Sequence, residues 1–346
     1  AAPARLALAA WALAGGSAPA SAWYVHTESF VGKDFFQKWT FFNTLDPSKG
    51  TVEYVDYNTA VMSKMVSASE QEVYLAADAV SVIPKGSKKG RKSVRLQSVE
   101  TYGAGLFVLR VKHVPTGCGV WPAFWMYGED GAHQWPAWGE YDIIEGVNTA
   151  GAVKTALHTS PGCKQSSVVQ GRDFASAWSM GSSKVANDCD VAAPGQWRNQ
   201  GCSQDGPGGS FGVPLNQAGG GTFVGEWDPV GQRFRTWFFR KDQEPTDLKA
   251  KKPNPDSSAM PYSFFSLKPD VCPAGHFQNM RLVFTINLCG ELAGVQYNRT
   301  CPDLAKRMSC NELVQQHPEM LRDAFWSIAS LDVYQNQLGP APLRAQ

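Results

Sequence analysis

The stretch "GEYDIIEGVN" at residues 139–148 sets three carboxylates, Glu140, Asp142 and Glu145, within six positions of an otherwise apolar run. Side chains two apart in a strand share a face, and side chains three apart do not. Strict alternation therefore groups Glu140 with Asp142 and sends Glu145 to the side of Tyr141 and Ile143. An ionised glutamate in an apolar layer is costly unless it is paired. One extra residue removes the conflict. A β-bulge at Ile143-Ile144 returns Glu145 to the face of the other two acids, and bulges are frequent beside active sites. The expectation is a strand over 137–147 with all three carboxyls on one face.

Such a face has a specific chemistry. Two glutamates about four ladder positions apart have backbones roughly 13 Å apart, and their side chains can lean together. Retaining glycosidases use two carboxyls about 5–5.5 Å apart, one as nucleophile and one as acid/base. An aspartate between them could hydrogen-bond the nucleophile and adjust both neighbours' proton affinities. Calcium is a rival reading, although it usually takes about 6–8 oxygens from an Asp- and Asn-rich loop. A solvated acidic surface is another, but Ile143, Ile144 and Val147 argue for a strand. The aromatic flank favours sugar: Trp121, Trp125, Trp135 and Trp138 all precede Glu140 within twenty residues. Flat rings suit the C–H-rich faces of such ligands.

Outward from this strand, short apolar runs recur between turn residues. Residues 92–102, 105–114, 152–160, 281–289 and 325–335 read as strands, and 222–240 as a hairpin turning at Asp228-Pro229-Val230-Gly231. Residues 160–221 and 241–262 read as long surface connections. One helix is expected near 309–324, where Ser309 and Glu312 form a capping-box pattern. With 33 Gly and 22 Pro in 346 residues, the fold class is all-β, a sandwich of antiparallel sheets with long loops and a short C-terminal helix. Strands flank every interruption, so residues 23–346 form one domain.

The net charge of +1 gives no basis for a nucleic-acid or acidic-membrane partner. Residues 1–22 have an apolar core (Leu6 to Ala14) too short to span a bilayer. They end in Ala20-Ser21-Ala22, the pattern of a signal peptide cleaved after Ala22. Eight cysteines then favour disulfides in a secreted protein. Sequence proximity pairs Cys189–Cys202, Cys272–Cys289 and Cys301–Cys310, leaving Cys118–Cys163. A zinc site is the alternative, but no closely spaced Cys/His quartet exists. Asn298-Arg299-Thr300 is a glycosylation sequon.

The run Glu140-Tyr141-Asp142-Ile143-Ile144-Glu145 matches the E-x-D-x-x-E signature of glycoside hydrolase family 16. "CGVWPAFWM" (118–126), "LHTSPGC" (157–163), "GGGTFVGEWDP" (219–229) and "VFTINLCGELAG" (283–294) extend the match over nearly the whole chain after residue 22. The chain resembles the secreted fungal-type endo-1,3(4)-β-glucanases, or laminarinases, of that family. The resemblance implies a β-jelly-roll of two curved antiparallel sheets with a concave sugar-binding cleft. It implies retaining cleavage of β-1,3 or mixed β-1,3/1,4-glucan, with Glu140 as nucleophile, Glu145 as acid/base and Asp142 assisting. It further places Trp125, Trp135, His158, Arg95 and Glu226 at substrate. No cofactor, no metal and no partner beyond the β-glucan is implied, and a monomer is expected. Two positions depart from the pattern. Tyr141 stands where the family usually has Ile or Leu, and Leu292 where relatives often carry Trp.

Two other functions compete on the same fold. A transglycosylase shares the covalent intermediate and differs only in the acceptor. A non-catalytic glucan-binding jelly-roll would be expected to lack one of the acids, and none is lacking here. Gly208-Gly209-Ser210-Phe211-Gly212 matches the G-x-S-x-G pattern, which needs a strand before the serine and a helix after it. "CSQDGPGG" before it and Pro214 after it argue that neither is present.

Overall fold

Alternating buried and outward positions build two eight-stranded antiparallel sheets that face each other. The front sheet runs, in spatial order, Ala177–Trp178, Cys202–Asp205, Lys154–His158, Glu140–Glu145, Val120–Gly128, Met280–Leu288, Arg95–Ser98 and Trp39–Phe41. The back sheet centres on Gly105–His113, flanked by Gly221–Asp228 and Phe325–Asn336. The computed structural model describes residues 24–336, so the expected signal peptide lies outside the described residues. The jelly-roll expectation holds, and no helix among the described residues is long and apolar enough to cross a membrane.

The layer between the sheets is aromatic. Phe284 stacks on Phe124 with centroids 4.6 Å apart and meets Trp326 edge-on at 5.6 Å. Packing is close enough to dictate a glycine: a Cβ on Gly225 of the back sheet would lie 2.9 Å from the Ile143 side chain. Gly225 thus fixes where the acid-bearing strand rests. On the same side, Phe223 and Trp227 point inward, which sends Val224 and Glu226 to the opposite face of the back sheet.

The bulge forms where the acid spacing demands it. Asp142 pairs with Trp125, Ile144 with Phe124 and Glu145 with Ala123, leaving Ile143 without a cross-strand partner on that side. Tyr141, Ile143 and Ile144 are fully buried. Tyr141 reaches across the sandwich, its hydroxyl 3.2 Å from the Arg235 carbonyl oxygen and 2.6 Å from Thr236 Oγ1. The departure at position 141 therefore serves as a tie between sheets.

Other expectations need correction. Residues 92–102 are not one strand. Arg91–Ser93 pairs in parallel with Val52–Tyr54, whereas Arg95–Ser98 belongs to the front sheet. The buried Arg91 anchors the break, its Nε donating to the Val314 carbonyl at 2.7 Å and its Nη2 to Gln315 at 2.9 Å. The 222–240 hairpin is in register from Gly221–Arg240 to Asp228–Arg233. The 309–324 helix starts at its capping box but ends at Gln316, because Pro318 cannot continue it. Within 160–221, the strands Ala177–Trp178 and Cys202–Asp205 add an edge to the front sheet.

Only one expected disulfide, Cys189–Cys202, exists. The others are Cys118–Cys301, Cys163–Cys272 and Cys289–Cys310. Proximity in sequence fails because the Val120–Gly128 and Met280–Leu288 strands are neighbours in the sheet. The helical segment after Cys289 is thereby brought to Cys118 and stapled there. The G-x-S-x-G run does have the context expected to be missing: a strand, Cys202–Asp205, precedes it and a helix, Gly212–Gln217, follows. Pro214 is tolerated because it lies in the first helical turn, where no intrahelical N–H bond is needed. Ser210 is nevertheless fully buried, and its Oγ accepts from the Val153 N–H at 3.0 Å. It has no nucleophile's access to solvent.

Candidate active site

The three acids enter one face of the front sheet on the bulged strand. Gly139 opens it with φ +67°, and a Cβ there would lie 2.5 Å from the Phe277 ring. Only glycine fits both the conformation and the space. Opposite Glu140 on the neighbouring strand is His158, and opposite Glu145 is Lys154. His158 Nε2 donates to Asp142 Oδ2 at 2.9 Å and lies 3.5 Å from Glu140 Oε1.

Two indoles complete the carboxylate contacts. Trp135 Nε1 donates to Glu140 Oε2 at 2.7 Å, and Trp121 Nε1 donates to Glu145 Oε1 at 2.9 Å. Trp121 was not among the expected substrate residues. The signal for it was present, since Trp121, Ala123 and Trp125 alternate on one face and Ala123 pairs with Glu145.

Burial and mutual repulsion set the protonation pattern. Burial, then the Asp142 charge, pushes Glu140 up to about 7 despite the counter-pull of His158. Burial likewise raises Asp142 to about 6, against its hydrogen bond from His158. Glu145 is also raised, by burial first, with His158 and the Trp121 hydrogen bond opposing. Burial works against a charged His158, but Glu140 and Asp142 outweigh it and lift the imidazole to about 9. At neutral pH the site thus holds an imidazolium beside a Glu140–Asp142 pair that shares a proton, with Glu145 biased by burial toward its protonated form.

Ligand atoms of Glu140, Asp142 and His158 lie within 4.8 Å of one another, a spacing that could hold a metal ion. The chemistry of the set fits proton sharing better. A His158 that keeps both ring protons is a donor to Asp142 and offers no lone pair to a metal.

Beyond the acids, Trp125 and Arg95 lie on the same face. Trp125 Nε1 donates to Thr285 Oγ1 at 2.7 Å and the ring stacks on Tyr127 with centroids 5.1 Å apart. The Arg95 guanidinium sits 5.0 Å from the Trp125 ring and 4.4 Å from Phe42. Its Nε is buried with no hydrogen-bond partner, as is His158 Nδ1. Neither atom reaches the surface, and His158 Nδ1 abuts Gly201. Glu226, by contrast, is not at this site. It is fully buried on the far face of the back sheet, where Arg235 Nη2 and the Tyr24 hydroxyl donate to it at 2.9 and 3.0 Å. Its expected contact with substrate is withdrawn, because the parity of its strand turns it away.

Comparison with known proteins places this geometry. The XgeA-like, catalytic GH16 domain family matches residues 39–334. An endo-1,3(4)-beta-glucanase of Arthroderma benhamiae is 35% identical over 324 residues, 92% of this chain and 66% of that protein. The chain spans still less of several other fungal relatives, down to 40% of their length. Among solved structures, GH16 Laminarinase 16A from Phanerochaete chrysosporium, with β-glucans in donor and acceptor sites, superposes with a TM-score of 0.80 at 31% identity. That match covers 91% of this chain and all of the other. An elongating GH family 16 beta-1,3-glucosyltransferase superposes with a TM-score of 0.78 at 33% identity, covering 90% of this chain and 100% of that one.

Proposed function

The chain belongs to the GH16 family of glycoside hydrolases, and from that premise we propose that it is an endo-acting, retaining β-glucanase. Its substrate is β-1,3- or mixed β-1,3/1,4-glucan. The observation that carries this reading is the bulged strand that delivers Glu140, Asp142 and Glu145 to a single face.

In the first step the Glu140 carboxylate attacks the anomeric carbon while Glu145 gives its proton to the departing glycosidic oxygen. The aglycone leaves as an alcohol and the sugar remains as an ester on Glu140. In the second, Glu145 takes a proton from water, whose oxygen displaces Glu140. The nucleophile must be ionised, and the His158 cation and the Trp135 N–H both favour that form. The acid must be protonated, and burial holds Glu145 in that direction. Asp142 keeps the proton it shares with Glu140, which leaves the Glu140 carboxylate ionised for attack. Trp125 and Trp135 supply stacking faces and the Arg95 guanidinium a donor to sugar hydroxyls, while His158 acts through Asp142 and Glu140.

Transfer to a second sugar instead of water is the alternative outcome of the same intermediate. The likeness to the elongating glucosyltransferase supports that outcome. Four disulfides support an extracellular setting for either reaction.

Kinetics on Glu140→Gln and Glu145→Gln test the assignment. Both variants are expected to lose several orders of magnitude on β-1,3-glucan. Only the Glu145 variant regains activity on substrates with activated leaving groups, which need no acid. Turnover like the parent enzyme's in either variant refutes the reading, and rescue of the Glu140 variant alone reverses the two roles.

A further inference from the structure

Loops from three distant parts of the chain meet in front of the acid-bearing face. On the Glu145 side, Asn287 projects from the front sheet beside Trp121 and donates from Nδ2 to Ser48 Oγ at 2.7 Å and Asp46 Oδ2 at 3.1 Å. The Glu291 N–H donates to the Ser48 carbonyl at 3.0 Å, so the 46–50 and 289–294 loops stand together on that side. The 191–200 loop stands on the other side. The Val191 N–H donates to the Thr159 carbonyl at 3.1 Å. A Cβ on Gly201 would lie 3.0 Å from His158 Nδ1, which seats the loop's end against the Glu140 partner.

These opposed loops touch through Glu291. Lys49 Nζ lies 2.6 Å from Glu291 Oε1, and Asn199 Nδ2 donates to Glu291 Oε2 at 3.4 Å. Asn199 holds φ 59°, a left-handed conformation asparagine tolerates better than most residues. Its N–H returns to the Val191 carbonyl at 2.8 Å. The turn thus presents its side chain to the facing loop.

We propose that Lys49, Glu291 and Asn199 form a strap across the glucan cleft, and that Glu291 thereby determines which glucans enter. The inference rests on the β-glucanase reading. An unsubstituted chain threads beneath the strap, whereas a chain carrying branches requires it to part. The strap is built to part: Lys49 holds Glu291 from its own side, and what crosses to the facing loop is one exposed 3.4 Å hydrogen bond from Asn199 and the pull of the Arg198 charge on Glu291. Exposed pairs of this kind are weak and are screened by salt.

The test compares kcat/KM on a branched β-1,3-glucan polymer with kcat/KM on a linear β-1,3-glucan oligosaccharide. In Glu291→Ala at low salt, the branched-to-linear ratio is expected to rise about two- to five-fold, the range a solvent-exposed pair supports. In the parent enzyme the same ratio rises with added salt, and in the variant it stays level. Asn199→Ala moves the ratio in the same direction and decides the matter if Glu291→Ala fails to fold. A ratio unchanged by the variants, in a parent enzyme that cuts the linear oligosaccharide, overturns the strap alone. A parent enzyme that cuts no β-1,3-glucan overturns the β-glucanase reading itself.

Discussion

Two groups of buried carboxylates lie on opposite faces of the sandwich, and they are neutralised differently. On the back sheet, Glu226 meets the guanidiniums of Arg235 and Arg233 and the hydroxyl of Tyr24. Asp256 joins Arg235 and Arg233 from outside. Every charge there has an opposite partner, and the group is closed. On the front sheet, three carboxyls share one histidine and two indole N–H groups. That deficit of positive charge leaves protons to be gained and lost near neutral pH. Burial without sufficient compensation, rather than burial alone, is what sets the proposed catalytic acids apart from Glu226.

The contrast breaks first, and most severely, in activity. Glu140→Gln is expected to abolish several orders of magnitude of kcat on β-1,3-glucan while leaving the melting temperature near that of the parent. Loss of the proposed general acid in Glu145→Gln is expected to cost about a hundred- to ten-thousand-fold on unactivated substrate. Glu226→Gln should do the reverse. Taking the carboxylate from buried Arg235 destabilises the fold by about 3–5 kcal/mol, measured by denaturant unfolding, and the folded fraction keeps its kcat. If Glu226→Gln lost activity without losing stability, the two groups would not differ as described.

The next effects are shifts in pH dependence. Asp142 helps burial to raise Glu140, so Asp142→Asn lets Glu140 ionise at lower pH. The acid limb of kcat/KM, set near 6–7 by the coupled pair, then moves down. His158 opposes the rise of both Glu140 and Glu145, so His158→Gln moves the acid limb up. Shifts of the same sign in both variants would contradict the charge pattern. Smallest is Trp135→Phe, which removes one N–H from Glu140 at a partly exposed position. It should lower kcat about two- to ten-fold, with stability unchanged.

Legibility in the sequence divides along the same line. The acid site was readable because its spacing breaks the strand rule, and a bulge is the economical repair. The orientation of Tyr141 followed from the same parity. Parity also bears on Glu226, since Phe223, Gly225 and Trp227 take the inner face of its strand, but a motif match hid it. Trp121 was legible only as one of four flanking indoles suited to sugar, and its hydrogen bond to Glu145 came with the pairing of the two strands. Three of the four disulfides were beyond reach, because Cys118, for one, meets Cys301 only after strands 152 or more residues apart have paired. The strap is of the same kind: Lys49, Asn199 and Glu291 are brought together by the fold and carry no local signal.

The central claim is that Glu140 becomes bonded to the sugar, and trapping the intermediate tests it most directly. A glucan-derived fluorosugar with an activated leaving group, followed by peptide mass spectrometry, locates the ester. The account predicts one label per chain, on Glu140. A label on Glu145, or steady inversion of product configuration with no label at all, would contradict it.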